Sequence, residues 1–167
     1  MTRLARAPRV RSDGFTLLEL LVVVGIIAII VSLVGVQLAR SPGEVVRNES
    51  ERLALLMQAA RDEAILQGRV FAFGAARDSY RFLRLDPEGK LQVTKDDELL
   101  RPRTLPAGVS IESLQVEGAG GEVTQQRGVV LQPSGDLPGF RIQLAGAGVR
   151  WVVVGSPDGT IKVQAGL

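Results

Sequence analysis

RSDGFTLLELLVVVGIIAII, residues Arg11 to Ile30, decides how this chain is organised. A long apolar run starts at Phe15 and carries one carboxylate, Glu19, in its leading end. From Leu20 to Val36 only Gly25, Ser32 and Gly35 interrupt it. With FTLLE in front, the segment exceeds about 20 residues, enough to cross the ~30 Å hydrocarbon core of a bilayer as a helix. Four arginines (Arg3, Arg6, Arg9 and Arg11) precede it, against one acid, Asp13. By the positive-inside rule the N-terminus stays in the cytoplasm and everything after Arg40 lies across the membrane. A removable secretory signal fits worse, because its apolar region runs about 7–15 residues to a small-residue cleavage site that VQLARSPGE does not supply.

Glu19 needs a reason. A carboxylate in hydrocarbon costs on the order of 2.5–3.5 kcal/mol even on lenient insertion scales, and no lysine or arginine follows it within the run. Two readings stand. The side chain can snorkel to the headgroups near the helix end, or it can meet a cation from elsewhere. Cleavage between Gly14 and Phe15 would free an amine about one turn away in the same chain. Helices staggered by about one turn, ~5.4 Å, would bring that amine to the Glu19 of a neighbour.

The rest of the 167 residues suits one modest domain. There is no cysteine and no histidine. Disulfides, thiolate or imidazole metal sites, and Ser-His-Asp or Cys-His catalysis in their usual forms are therefore excluded. The net charge is +2, but removing the residues before Phe15 takes away 4 of 20 bases and 1 of 18 acids, leaving about −1. The basicity belongs to the leader, so a general polyanion-binding surface has no support and no nucleic-acid partner is expected.

Ser41-Pro42-Gly43 should break or kink the first helix. A second helix is expected over Glu44–Gln67: Leu53, Leu56, Ala60 and Ala64 recur at three- and four-residue steps with Met57 and Ile65 beside them, and Gly68 stops it. After Gly68 the period falls toward two. Strands are expected at 70–75, 80–85, 90–94, 109–116, 128–132, 140–145, 149–154 and 161–164. Turn signals lie at Asp86-Pro87-Glu88-Gly89, Pro133-Ser134-Gly135 and Ser156-Pro157-Asp158-Gly159. The last is the strongest hairpin signal. This pattern predicts an α+β chain, a long N-terminal transmembrane and amphipathic helix followed by an antiparallel β-sandwich or sheet domain.

Other candidate chemistry is weak. Asp96-Asp97-Glu98 lacks calcium-loop spacing and reads as a solvated loop. Gly118-Ala119-Gly120-Gly121 lacks the lysine of a phosphate loop. Ser134 has no histidine to activate it. Trp151, in an apolar strand, is expected in the core. Arg69, Arg77, Arg81, Arg84, Arg101 and Arg103 read as scattered solvated charges.

The basic leader, then Gly14-Phe15-Thr16-Leu17-Leu18-Glu19, then a long apolar helix, resembles the class III signal of type IV pilins and type II secretion pseudopilins. In that superfamily a membrane prepilin peptidase cuts after the glycine and the new N-terminal phenylalanine is N-methylated. The resemblance implies cleavage at Gly14, methylation at Phe15, and an assembly role for Glu19 as the fifth mature residue, paired with a neighbouring N-terminus. Downstream, ERLALLMQAARDEAILQGR followed by strands and VVLQPSGDLPGFRIQL resembles the H-type minor pseudopilins of type II secretion. The resemblance then implies a leader over 1–14, a transmembrane helix over 15–39, an amphipathic helix over 40–68 and a periplasmic β domain over 69–167. It implies a single-pass bacterial inner-membrane protein with no catalytic residue, metal or cofactor. The implied partners are the prepilin peptidase, the major and other minor pseudopilins, the inner-membrane assembly platform and membrane lipid. A minor pilin of a type IV pilus is the alternative, and a membrane-anchored enzyme a distant third.

Gly14→Ala should leave the leader attached, so mass spectrometry of the membrane fraction should find the full-length chain. Normal processing of that variant would refute the cleavage assignment.

Overall fold

The structure, a computed structural model, describes residues 17–38, 42–118, 123–125 and 128–166. The chain divides into two compact units, Met1–Arg40 and Ser41–Leu167. The first contains α1 (Leu17–Leu38), 22 residues that are almost wholly apolar. The second opens with α2 (Pro42–Gln67), 26 residues long.

The second helix starts earlier than the sequence suggested. Instead of starting at Glu44, after a break through Ser41-Pro42-Gly43, α2 already includes Pro42 and Gly43. Proline is at home in a first helical turn, where its missing N–H is not needed and its fixed φ suits the helix. The other end is as expected: Gly68 has φ +61° and its N–H donates to Ile65 O at 3.3 Å, closing the helix.

Among the described residues ten strands follow: β1 (Phe71–Ala75), β2 (Ser79–Leu85), β3 (Leu91–Val93), β4 (Arg103–Thr104), β5 (Ser110–Glu117), β6 (Val123–Gln125), β7 (Gly128–Leu131), β8 (Phe140–Gly146), β9 (Val149–Gly155) and β10 (Ile161–Ala165). They form two antiparallel sheets. Sheet A runs β3-β2-β1-β7 with β4 also on β2, and sheet B runs β10-β9-β8-β5-β6. The eight expected strands are all present within a residue or two, and β4 and β6 are additional. The Ser156–Gly159 turn joins β9 to β10 as an antiparallel hairpin. The β8–β9 hairpin instead turns on Ala147 and Gly148, at φ 50° and 79°, the left-handed pair that a two-residue hairpin turn of this hand requires.

α2 packs against β8, β9 and β10 of sheet B and against β1 and β7 of sheet A. Leu53, Met57, Ala60 and Ala64 are fully buried, and they meet Phe71, Phe73, Phe82, Val129 and Leu131 from sheet A with Ile142, Leu144 and Val153 from sheet B. Small residues at Ala60 and Ala64 let the sheets approach the helix closely. Two expectations hold only in part here. Ile65 is 42% exposed rather than part of the stripe, since it sits on the helix edge one position past Ala64. Trp151 is half-buried and packs against the margin of the core, with the Arg47 guanidinium 5.5 Å from its ring centroid, so the ring serves the core and a cation together.

The helix also brings a charge into this interior. Glu49 is 4% exposed; its Oε1 accepts a hydrogen bond from the Tyr80 hydroxyl at 3.0 Å and its Oε2 one from Arg52 NH1 at 3.1 Å. Burial, and then the charge and hydrogen bond of Glu49, push the Tyr80 pKa far up, so the phenol stays a donor. An acid with both oxygens satisfied is tolerated where a lone one would not be.

Tyr80→Phe should cost roughly 1.5–3 kcal/mol, because it strips a hydrogen bond from a buried charged group. Urea denaturation measures this, and an unchanged midpoint would contradict the pairing.

Candidate assembly site

Of the three positions picked from the sequence, Gly14 and Phe15 lie outside the described residues. Glu19 stands in the first turn of α1, the end where the helix dipole favours an anion by about 0.3–1 kcal/mol. Every described side chain of this helix, Leu17 to Ile30, is exposed. It is apolar round its whole circumference, without the one-sided stripe of a helix built to lie on its own domain. Among the described residues no helix is long and apolar enough to cross a membrane, and the described side chains of α1 end at Ile30. The backbone helix continues to Leu38, and 22 residues at 1.5 Å each give a length of ~33 Å.

The remaining candidates resolve into local structure. Asp97 Oδ1 accepts from the N–H groups of Leu99 and Leu100, both at 2.9 Å, and so closes a turn. Among the described residues no group of three or more acids gathers as a metal site. Ser134 Oγ donates to Asp136 Oδ2 at 2.8 Å. Of the glycine-rich stretch 118–121, only Gly118 is among the described residues. None of the six arginines from Arg69 to Arg103 joins an ion pair among the described residues. Arg81 and Arg103 share an open cleft of about 630 Å³ at the margin of β1, β2 and β4.

Two turn aspartates are held anionic. A backbone N–H from Lys90 lowers the Asp86 pKa below its ordinary 3.8, with Gln92 assisting, and the Thr160 N–H does the same for Asp158. A depressed folded-state pKa adds stability above the ordinary value, and the gain is lost as pH falls through the lowered one.

A link that the sequence did not reveal joins the helix to both sheets. Arg61 of α2 is partly buried, and its Nε donates to Gly135 O at 2.7 Å. Gly135 follows β7 of sheet A, and Gly159 sits in the β9–β10 turn of sheet B, both at φ +83°. A Cβ on Gly159 would lie 2.5 Å from Arg61 NH2, and one on Gly135 would lie 3.3 Å from it. One guanidinium therefore fills the space that two glycine turns leave open. The two glycines were visible as turn signals, but nothing in the sequence connects them to residue 61.

An exposed apolar helix with an acid in its first turn, and a separate unit of one helix against two antiparallel sheets, define a pilin-like subunit. Comparison with known proteins agrees. A family profile described as "Type II transport protein GspH" matches residues 49–159, and one described as "Prokaryotic N-terminal methylation motif" matches residues 9–35. A curated relative, type II secretion system protein H of Pseudomonas aeruginosa, is 35% identical over 147 residues, covering 82% of this chain and 85% of its own. The minor pseudopilin EpsH from the type 2 secretion system of Vibrio cholerae superposes with TM-score 0.59 at 21% identity, over 72% of this chain and 96% of its own. The type IV minor pilin FimU of Pseudomonas aeruginosa superposes with TM-score 0.52 at 16% identity, over 72% and 92%. At such identities the last two speak for the fold alone. The chain belongs to the type II transport protein GspH family. Within the pilin-like class it is an H-type minor pseudopilin of type II secretion, and the type IV pilus reading is not favoured.

Gly159→Ala should destabilise the protein by about 1–2 kcal/mol from the left-handed backbone alone, with a further loss as Arg61 is displaced. Arg61→Ala should relieve only that further part. A double-mutant cycle by urea denaturation measures this, and strictly additive losses would contradict the shared site.

Proposed function

We propose that this chain is a structural subunit of a periplasmic pseudopilus, cut after Gly14, methylated at Phe15 and held in the inner membrane by residues 15–39. The leader (1–14) stays cytoplasmic, and the amphipathic helix (40–68) and β domain (69–167) lie in the periplasm. The observation that carries this reading is the first helix: eleven large apolar side chains between Leu17 and Ile30 are exposed, with one acid in the opening turn. Withdrawing each from water is worth roughly 1.5–3 kcal/mol, so together they outweigh the few kcal/mol that Glu19 costs in a membrane. In the membrane α1 meets lipid; in the filament it meets the corresponding helices of the major and other minor pseudopilins.

Glu19 pairs with the amine of a neighbour's processed Phe15. That contact sets the stagger between subunits and exists only after the prepilin peptidase has acted. The role is mechanical, with no cofactor and no catalytic side chain. The assembly platform adds subunits at the membrane, and packing of helices does the rest.

Glu19→Ala should be processed normally yet incorporate poorly, and a strain carrying it should export less of the system's substrate proteins. Undiminished incorporation and secretion would refute the assembly role of the carboxylate.

A further inference from the structure

α2 gives the second unit two distinguishable ends. Near the start of the helix, Val46 Cγ2 lies 3.0 Å from where a Cβ on Gly146 would stand, and Arg47 lies over Trp151. The β8–β9 hairpin therefore turns at that end. The loop through Gly108 joins it there, since a Cβ on Gly146 would also run into the Gly108 carbonyl. Towards the other end, Arg61 reaches the turns at Gly135 and Gly159. The Leu85 N–H donates to Val70 O at 2.9 Å, just past Gly68, which sets the 86–89 turn at that end too. From Val46 to Arg61 the helix rises ~22 Å.

The two ends differ in chemistry. At the far end each of these turns carries an acid: Asp86 and Glu88, then Asp136, then Asp158. At the near end neither tip, 106–109 or 145–149, carries a charged side chain. Ala107, Gly108, Ala147, Gly148 and Val149 are exposed there, with the half-buried Trp151 two residues beyond. Charges border these tips, but most are paired: Arg47 with Glu51 at 2.8 Å, Arg150 with Glu112 at 3.1 Å, and Glu49 with Arg52 at 3.1 Å. Glu44, Arg77, Asp78 and Arg103 lie on the adjoining segments, two of each sign, which leaves the rim near neutral.

The covalent chain selects the occupant. Ala39 closes the proposed anchor and α2 starts at Pro42, so at most ~11 Å of chain joins the anchor to the near end. An uncharged apolar tip with a tryptophan beside it has the composition that settles at headgroup depth. A neutral rim meets anionic headgroups without repulsion, whereas the acidic turns of the far end would be repelled. We infer that, before the subunit enters a filament, the near end of its β domain rests on the membrane surface, with the 147–149 tip and the Trp151 indole among the lipid headgroups. The inference rests on the anchoring reading above and adds to it which end of the domain lipid wets. Entry into the filament then strips lipid from this tip as well as from α1.

The chain has one tryptophan and no cysteine, so both its intrinsic fluorescence and a single introduced thiol report on one place. The test uses the full chain reconstituted into vesicles of phosphatidylethanolamine and phosphatidylglycerol. Lipid spin-labelled at the headgroup should quench Trp151 more strongly than lipid labelled deep in the acyl chain. An environment-sensitive fluorophore on Ala147→Cys should shift to the blue and be quenched by the same headgroup label. On Glu88→Cys, in a far-end turn, it should report water. Val149→Glu should remove most of the headgroup quenching of Trp151 while the urea midpoint stays near wild type. If that variant unfolds, the comparison of Ala147→Cys with Glu88→Cys decides alone. Equal signals from those two thiols would overturn the inference. So would Trp151 quenched by aqueous acrylamide but not by labelled lipid, or quenching that appears only when another pilin-like subunit is added. A fluorophore on Ile26→Cys that ignores the deep acyl label would instead refute the anchoring reading itself.

Discussion

A helix that is apolar on every side cannot be left in water, and the chain is arranged around that constraint. α1 exposes Leu, Val and Ile throughout Leu17 to Ile30, so its burial has to come from outside its own fold. Lipid and the same kind of helix in other subunits offer equally apolar surroundings, which makes transfer from one to the other nearly neutral in hydrophobic energy. The proposed source of direction and register is sparse and polar. Glu19 in the first turn is the one acid in this segment.

The second unit solves the opposite problem, burying its apolar residues within its own fold. Its core is closed by hydrophobic contacts between α2 and two sheets, and polar links, among them Gln58 Nε2 donating to Ile161 O of β10 at 3.2 Å, tie the helix to those sheets. Glu49 is tied to Tyr80 on β2, while Arg61 is tied to the turn that follows β7 and sits against the β9–β10 turn. Each long-range link joins residues far apart in sequence, so helix and sheets hold one relative placement.

Much of this was legible in the sequence, and the exceptions have physical causes. The two helices, eight strands and the Ser156–Gly159 hairpin follow from periodicity and turn chemistry. β4, with two residues, is too short to show a period. The β8–β9 turn was hidden because Ala147 takes a conformation usually left to glycine or asparagine. The start of α2 was misplaced because proline reads as a breaker unless its role at a first turn is weighed. Ile65 fits the helical spacing but falls at the edge of the buried face. Glu49 and Arg61 were unreadable because a charged residue in an amphipathic helix looks solvated until its distant partners, Tyr80 and Gly135, are placed. The assembly motif at Gly14, Phe15 and Glu19 was the clearest signal, yet only Glu19 falls within the described structure.

The central claim is that this chain serves as an assembly subunit of the secretion filament. It is tested most directly by deleting its gene and measuring, in one strain, both export of secreted proteins to the medium and twitching motility. The account predicts that export falls sharply, twitching persists, and re-expression of the chain restores export. Intact export with lost twitching would contradict it.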